Sequence, residues 1–273
     1  MLKALVLRAP GTNCDQEMCR AFRLAGAAAD LIHIERLCER PDLLDDFDLV
    51  GFPGGFSYGD DIASGRLFAL KLRERVYPAL RRAAERGCPM IGACNGFQVL
   101  VQAGLLPGPL DGSPWPATAP LQTVALTDNQ DARFHDRWVG FTLDADSPCI
   151  WTRGLSDDSD EETRRQTHLL PVAHGEGRFV AATPPVMAAL ERNRQVVMRY
   201  ADNYNGSHGA VAGICDASGR VFGLMPHPER YLDWTRHPAW TRLTPQVRKG
   251  ETPGLRMFRN AVAAVSSPAV PAA

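Results

Sequence analysis

The sequence has no excess of charge of either sign and no long apolar run. Its 30 lysine and arginine residues balance 31 aspartate and glutamate residues, which leaves a net charge of -1 at pH 7. This balance gives no support for binding to nucleic acid or to an anionic membrane surface. The apolar run at residues 5–7 is too short for the hydrophobic core of a signal peptide, and no stretch reaches the length of a membrane-spanning helix. We therefore expect a soluble, cytoplasmic protein.

Paired cysteines and nucleotide-binding loops are also missing. The seven cysteines are odd in number and scattered, and none forms a C-x-x-C pair, so neither a disulfide framework nor a zinc site is supported. Cys14 and Cys19 have no histidine or cysteine partner at ligand spacing, and we interpret both as structural. Because the chain has no phosphate-binding loop and no dinucleotide fingerprint, we expect it to bind no cofactor, no metal and no ATP by itself.

Length and composition favour one large domain. The chain has 273 residues, of which 45% are hydrophobic, enough to bury a sizeable core. We predict that residues 1–265 form this domain and that residues 266–273, rich in alanine, proline and valine, form a flexible tail.

Hydrophobic periodicity predicts an α/β fold. In the first half, strand-like segments at residues 3–8, 29–34, 49–52 and from residue 89 alternate with helical patterns at residues 15–26 and 67–86. This alternation predicts a mostly parallel, flavodoxin-like sheet with helices on both faces and ligands beyond the carboxyl ends of its strands. Segments at residues 121–126, 138–143, 179–182, 196–200 and 211–215 predict antiparallel additions. The charged stretch at residues 154–167 is typical of a solvated loop.

A cysteine follows the apolar run that begins at residue 89. In the sequence IGACNGFQ, Cys94 lies between two glycines, Gly92 and Gly96, and precedes a helix-like segment. This pattern is typical of a nucleophile elbow, in which a sharp strand-to-helix turn exposes the thiol at a helix N-terminus that favours the thiolate. A buried structural cysteine in a glycine-rich turn is the alternative.

A general base for this thiol is found about 130 residues downstream. In the sequence GLMPHPER, a strand-like run ends at His227, and Pro228 favours an extended backbone there. Residues two apart in an extended chain point to the same side, so Glu229 can lie beside the His227 ring and orient it. A structural histidine is the alternative for His227 taken alone. The order Cys, His, Glu argues against an α/β-hydrolase, which places its acid before its histidine.

Seven motifs in a fixed order resemble the class I (triad) glutamine amidotransferases, and among them the glutaminase subunits of phosphoribosylformylglycinamidine synthases. The resemblance covers residues 3 to about 262. The motifs are PGGFSYGD at 53–60, GACNGFQ at 92–98, GLLPG at 104–108, AHGEGRF at 173–179, NGS at 205–207, AGIC at 212–215 and GLMPHPER at 223–230. The resemblance implies that Cys94 is the nucleophile, His227 the general acid/base and Glu229 the residue that orients it.

Further site residues follow from the turn at Gly54 and Gly55. This turn ends one strand as Cys94 ends the next, so both open onto one crevice, and we assign the backbone amides of Gly55 and Asn95 as the oxyanion hole. The Asn95 side chain is then replaceable in principle. The remaining candidates for contact with glutamine are Gly54, Phe56, Gln98, His174 and Glu176.

Two of these assignments have alternatives. Gln98 is one helical turn after Cys94 and binds substrate or completes a local network. Glu176 pairs with the α-ammonium of glutamine or with a cation such as Arg178.

The resemblance also implies a reaction and partners. Glutamine would be hydrolysed through a thioester, and the ammonia would pass to a partner synthetase subunit. That subunit would use ATP and Mg²⁺ to convert formylglycinamide ribonucleotide to formylglycinamidine ribonucleotide in purine synthesis, and a small bridging subunit would complete the complex. The alternatives are another acceptor pathway, a free-standing glutaminase or a non-catalytic docking subunit. We also expect the loop at residues 56–62 and the turn at residues 203–207 to respond to partner docking.

Overall fold

Strands and helices alternate along the first half of the protein, and strands dominate the second. The computed structural model describes residues 1–156 and 160–266. Its strands are β1 (Lys3–Arg8), β2 (Ala28–His33), β3 (Leu49–Phe52), β4 (Met90–Ala93), β5 (Val124–Asp128), β6 (His135–Leu143), β7 (Leu169–His174), β8 (Glu176–Ala181), β9 (Val196–Tyr200), β10 (Val211–Cys215) and β11 (Val221–Leu224). Its α-helices are α1 (Asp15–Ala25), α2 (Ile34–Glu39), α3 (Arg66–Lys71), α4 (Tyr77–Glu85), α5 (Asn95–Gln102), α6 (Glu161–Thr167), α7 (Pro184–Arg192) and α8 (Pro253–Ser266).

Nine of these strands form one sheet, in the order β2-β1-β3-β4-β11-β10-β9-β6-β7. The first five strands in that order are parallel to one another, and the other four are joined by antiparallel pairings. A separate two-stranded sheet pairs β5 with β8. The α/β fold with antiparallel additions in the second half is therefore confirmed.

The centre of the sheet is buried because its strands carry almost no polar side chains. Every residue of β3, β4, β10 and β11 is buried. Continuous apolar strands of this kind are expected where a parallel sheet is covered on both faces. Helix α5 packs against β3, β4 and β11, so the segment that follows Cys94 is anchored to the core of the sheet.

The helix expected at residues 67–86 is interrupted. Helices α3 and α4 are separated by a π-helical turn at Leu72–Val76. Pro78 is in the first turn of α4. Because proline has no backbone N–H, it leaves the carbonyl four residues earlier without its helical partner, which accounts for the change of hydrogen bonding at this point.

The interpretation of residues 154–167 as a solvated loop is wrong for its second half. Residues 161–167 form helix α6, and residues 157–159 lie outside the described part. The Asp160 side chain accepts a hydrogen bond from the Thr163 amide as an N-cap, and Thr167 is buried. Capping and partial burial stabilise a helix that a run of charges alone does not predict.

The stretch at residues 234–249 packs beside this helix. His237 Nε2 lies 2.8 Å from the Gln166 carbonyl oxygen, and Trp234 donates to the Gly250 carbonyl at 3.0 Å. The described residues therefore place the two stretches against each other.

The outer elements of the sheet differ in part from the expected ones. All five predicted antiparallel segments contain strands, but β7 and helix α2 were not predicted, and β2 ends one residue earlier than expected. At the carboxyl end of the chain, helix α8 extends to Ser266, and residues 267–273 lie outside the described part, so the flexible tail stays a prediction. In the described ranges, none of the helices combines the length and the apolar character required to cross a bilayer.

Candidate active site

The cysteine and histidine motifs meet because their strands are neighbours. Strands β4 and β11 are parallel, and Ala93 pairs with Leu224 at their carboxyl ends. Cys94 follows the first strand directly, and His227 comes three residues after the end of the second. The two candidate residues therefore lie at the same edge of the sheet, although 132 residues separate them in the chain.

Cys94 has the backbone of a nucleophile elbow. Its φ of 52° and ψ of -110° are unusual for a residue with a side chain, and its N–H donates to the Leu224 carbonyl at 2.8 Å. A Cβ on Gly96 would overlap the Phe52 carbonyl oxygen, and a Cβ on Gly92 would lie 2.5 Å from the Gly96 carbonyl oxygen. The turn is therefore closed too tightly for larger residues at either glycine, as the sequence predicted.

His227 and Glu229 form a buried pair. The His227 Nδ1 atom lies 2.6 Å from Glu229 Oε1, and both residues are at most 2% exposed. The His227 N–H donates to the Pro171 carbonyl on β7 at 2.8 Å, which fixes the backbone of this segment. Because Nδ1 is bonded to the carboxylate, Nε2 is the ring nitrogen left to exchange a proton with a nucleophile.

The electrostatic surroundings favour a charged imidazole. Burial alone lowers the pKa of His227, but the negative charge of Glu229, together with the Cys94 and Cys14 thiols, raises it well above its ordinary value. Nε2 has no hydrogen-bond partner at ordinary distance among the described residues. The Cys94 sulfur lies 3.6 Å from the Ala173 carbonyl oxygen, which accepts the thiol hydrogen. Rotation of this thiol toward Nε2 would form a thiolate–imidazolium pair.

Cys14 is a third neighbour of the histidine that the sequence analysis assigned to a structural role. Its sulfur, a His227 nitrogen and a Glu229 oxygen lie within 4.8 Å of one another, and this donor set is one that zinc accepts. Two ligands of tetrahedral zinc would be about 3.3 Å apart. The 2.6 Å between Nδ1 and Oε1 is instead a hydrogen-bond distance, so this arrangement does not fit a zinc ion.

The two assigned oxyanion amides are available. In the described residues, neither the Gly55 nor the Asn95 N–H has a hydrogen-bond acceptor. Gly55 has a φ of 140°, and a Cβ there would lie 2.7 Å from the Asn13 nitrogen, so this position requires glycine. The loop at residues 53–58 is held by residues 9–14, since the Phe56 N–H donates to the Gly11 carbonyl at 3.0 Å.

The Asn95 side chain is not free, which contradicts the expectation that it is replaceable. Asn95 is 2% exposed. Its Oδ1 accepts a hydrogen bond from Ser57 at 2.7 Å, and its Nδ2 donates to Gln98 at 3.1 Å and to Asp60 at 3.5 Å. The Asn95 side chain therefore links the nucleophile elbow to the loop at residues 53–60, called the glycine loop below. Its removal would leave buried polar groups without partners.

A cleft of about 340 Å³ opens over Cys94. The cleft is lined by three acidic residues, Asp60, Asp128 and Glu176, and by Arg133. Phe56 and Phe134 also line it, and their rings stack with centroids 6.3 Å apart. A larger cavity of about 580 Å³ lies elsewhere, between α6 and the residues around Trp234. None of the described residues that line the larger cavity is a cysteine, so the smaller cleft, which contains Cys94, is the candidate site.

Gln98 and Glu176 both belong to a local network. Gln98 Nε2 donates to the Glu176 carbonyl at 2.5 Å, and the Glu176 carboxylate accepts from the Ser64 amide at 3.3 Å. Burial, together with Glu176, raises the pKa of the nearby Asp60, against the hydrogen bonds from Ser64 and Gly65. Arg178 donates to Thr127 instead of pairing with Glu176. The Glu176 carboxylate therefore remains open to a cation in the cleft.

His174 faces the protein through both ring nitrogens. Nε2 lies 2.7 Å from the Tyr204 hydroxyl, and Nδ1 packs against Gly177. Burial, with smaller effects from the charges of His227 and His135, lowers the pKa of His174 to about 3, so the ring is neutral. Contact between this side chain and glutamine stays a prediction, as does contact with Gly54 or Phe56.

Several residues of the site were not singled out from the sequence. Among them are Cys14 beside the histidine, and Asp60, Ser64, Asp128, Arg133 and Phe134 in the cleft. A signal for Cys14 was available: it follows β1, whose carboxyl end lies beside that of β3 at the same edge of the sheet.

The chain is similar in sequence to known proteins. A model of the CobB/CobQ-like glutamine amidotransferase domain matches residues 1–265. The chain is 39% identical to phosphoribosylformylglycinamidine synthase subunit PurQ of Dehalococcoides mccartyi over 269 residues, 96% of each chain. It is 40% identical to the same subunit of Lacticaseibacillus paracasei over 235 residues, 85% of this chain and 88% of the relative.

A solved structure is also similar. A chain in the structure of PurLQS from Thermotoga maritima superposes with a TM-score of 0.67 and 31% identity, over 96% of this chain and 98% of that chain. The expected resemblance is confirmed by these matches in sequence and in fold. The chain therefore belongs to the family of CobB/CobQ-like glutamine amidotransferases.

Proposed function

We propose that this chain is the glutaminase subunit of a phosphoribosylformylglycinamidine synthase. The observation that carries the proposal is the convergence of the Cys94 elbow with the buried His227–Glu229 pair beside an open cleft. The similarity to PurQ subunits over 96% of the chain supports this assignment within the amidotransferase family.

The reaction begins at the side-chain amide of glutamine. The Cys94 thiolate attacks the amide carbonyl carbon, and the resulting oxyanion accepts hydrogen bonds from the Gly55 and Asn95 amides. The C–N bond then breaks as His227 Nε2 donates a proton to the departing nitrogen, which leaves as ammonia. Glu229 stabilises the imidazolium throughout.

Hydrolysis of the thioester completes the cycle. The neutral His227 removes a proton from water, the water oxygen attacks the γ-glutamyl carbon, and the C–S bond breaks to release glutamate and the Cys94 thiolate. One amide hydrolysis is thus divided into two easier steps. Loss of one oxyanion donor from such a site lowers kcat by about a hundredfold to a thousandfold.

The charges in the cleft fix the orientation of glutamine. Asp60 and Glu176 attract its α-ammonium group, and Arg133 attracts its α-carboxylate. The aliphatic part of the substrate lies along Phe56, while Gln98 and His174 shape the cleft around the amide. Glutamine carries both charges at neutral pH, so a cleft lined by both acidic side chains and an arginine suits it.

The ammonia is used by a partner. The synthetase subunit uses ATP and Mg²⁺ to convert formylglycinamide ribonucleotide to formylglycinamidine ribonucleotide, and a small bridging subunit completes the cytoplasmic complex. The similarity to a chain of the PurLQS structure supports this assembly. The loop at residues 56–62, where Tyr58 and Asp60 have positive φ, and the turn at residues 203–207 respond to docking of the synthetase.

The test compares the wild-type chain with Cys94→Ser, each alone and with its synthetase. Wild-type protein with synthetase is expected to consume formylglycinamide ribonucleotide with glutamine, and Cys94→Ser to lose ammonia release by about a thousandfold or more. The substituted complex should still use added ammonium salt. Ammonia release by Cys94→Ser at the wild-type rate would refute the thioester. Release without use of the ribonucleotide would indicate another acceptor or a free-standing glutaminase.

A further inference from the structure

Cys14 brings a second thiol to the histidine from inside the protein. The residue precedes helix α1, is 1% exposed and does not line the cleft over Cys94. Its sulfur is nevertheless within 4.8 Å of both a His227 nitrogen and a Glu229 oxygen. Cys14 therefore contacts the pair that carries the general base without meeting the substrate.

The Cys14 thiol is held in place by three separate contacts. Its backbone N–H donates to the Gly54 carbonyl at 3.2 Å. The thiol donates to Asn13 Oδ1 at 3.1 Å, and the sulfur accepts from Arg230 Nη2 at 3.0 Å. Arg230 is itself paired with Glu17 of helix α1 at 3.4 Å. A side chain fixed in this way can restrict the movement of the neighbouring imidazole ring.

The ring and the thiol share one small space above Gly54. A Cβ built on Gly54 would lie 2.6 Å from His227 Cε1 and 3.3 Å from the Cys14 sulfur. Glu229 holds the ring through one hydrogen bond at Nδ1, and a single bond leaves the ring free to tilt about it. Packing at the Cε1 edge removes this freedom, and the direction of Nε2 depends on it.

We propose that Cys14 is a positioning residue that, together with Gly54, fixes the plane of the His227 ring so that Nε2 faces Cys94. The thiol is suited to this place because it is compact and uncharged. Burial is the main cause that raises the pKa of Cys14, so the group stays protonated and does not compete with Glu229 for the imidazolium. This inference rests on the proposed glutaminase function, in which Nε2 exchanges the proton.

The experiment uses Cys14→Ala and Cys14→Ser in the full chain, with Cys19→Ala as the matched control. Cys19 is a buried cysteine within helix α1, 1% exposed, and is not among the described residues that line the cleft over Cys94. The first readout is the rate at which iodoacetamide alkylates Cys94, followed by mass spectrometry at a series of pH values. The second is kcat and KM for ammonia release in the complex with the synthetase.

Several titratable or charged groups near His227 contribute to the pH dependence of Cys94 alkylation. They are Glu229 and Arg230 on its own segment, Cys94 at the start of α5, His174 on β7 and Cys14 before α1. Only the last differs between the variants, so a change in the profile reports the effect of the Cys14 thiol on the ring.

Cys14→Ala is expected to slow alkylation of Cys94 and to lower kcat by about tenfold to a hundredfold, with KM changed by less than about twofold. Cys14→Ser should lie between wild type and Cys14→Ala, because a hydroxyl keeps the hydrogen bonds but fills less space. Alkylation rates and kcat of Cys14→Ala within about twofold of the Cys19→Ala values would overturn the proposal.

A folding control and the Cys14→Ser variant distinguish loss of ring position from loss of folding. Circular dichroism establishes whether each variant is folded. If Cys14→Ala is not folded, Cys14→Ser decides: a several-fold loss of alkylation rate supports the proposal, and the wild-type rate overturns it. Wild-type protein that releases no ammonia would refute the proposed function alone, since the alkylation of Cys94 does not depend on glutamine.

Discussion

Addition of one methyl group at Gly54 should disable the base with little effect on substrate binding. The Cβ of Gly54→Ala would lie 2.6 Å from His227 Cε1, whereas ordinary contacts begin at 3.4 Å. Either the ring or the glycine loop must therefore move by about 0.8 Å. The ring is constrained by Glu229 on one edge, so the movement changes the direction of Nε2.

The expected loss follows from the sensitivity of proton transfer to geometry. A displacement of about 1 Å at a reacting group can cost about a hundredfold in rate, and we expect a decrease of that order in kcat for Gly54→Ala. KM should change little, because the cleft residues that bind the charged end of glutamine are not displaced. Overpacking should also lower the free energy of unfolding by about 1 to 3 kcal/mol.

The assay is steady-state ammonia release in the complex, together with urea unfolding of the free chain. Gly140→Ala is the control, since Gly140 lies on β6 outside the cleft and a Cβ there would meet only Ala201 at 3.2 Å and Leu169 at 3.8 Å. A kcat for Gly54→Ala equal to that of Gly140→Ala, in a folded protein, would refute the view that this contact positions the base.

Three other substitutions test the site and the fold. Glu229→Gln removes the charge that raises the pKa of His227. We therefore expect kcat for ammonia release to fall by about a hundredfold or more. A near-normal kcat would mean that the carboxylate does not stabilise the imidazolium. Gly96→Ala would place a methyl group against the Phe52 carbonyl oxygen. Urea unfolding should therefore show a free energy of unfolding lower by about 3 kcal/mol. An unchanged urea midpoint would contradict this packing. Burial, with a smaller effect of Arg164, lowers the pKa of His168 from its ordinary value of 6.5 to about 4. The unfolded chain therefore binds the extra proton, and stability should fall as the pH falls from about 6.5 toward 4, by about 2 kcal/mol between pH 7 and pH 5. In His168→Gln that part of the pH dependence should disappear, and urea unfolding at the two pH values measures it.

The strand ends that carry the site could be predicted from local sequence. Cys94 and His227 each follow a short apolar run, and such runs form adjacent strands in the core of a parallel sheet. The pairing of Glu229 with His227 is present as expected, but the extended backbone predicted for it is wrong, because Pro228–Arg230 form a 3-10 turn that brings the carboxylate to the ring. These features depend on residues close together in the chain, so the sequence displays them directly.

The rest of the site depends on how loops pack across the edge of the sheet. The hydrophobic periodicity of the sequence does not predict this packing. Cys14 reaches His227 because residues 9–14 bond to the backbone of the glycine loop, and Asn95 is buried because Ser57 and Asp60 reach it from that same loop. Helix α6 was missed for a related reason, since its charged residues conceal the cap at Asp160.

Two thiols flank one base, and the structure accounts for which of them would react. Both Cys14 and Cys94 precede the first residue of a helix. Cys94 lines the cleft and lies next to an amide that has no acceptor among the described residues, so a substrate carbonyl can reach its sulfur. Cys14 is enclosed by Asn13, Arg230 and the ring itself, and its raised pKa keeps it neutral. Position before a helix therefore does not distinguish the two thiols, but access to the cleft does. The enclosure that makes Cys14 unreactive also makes it a rigid support for the base.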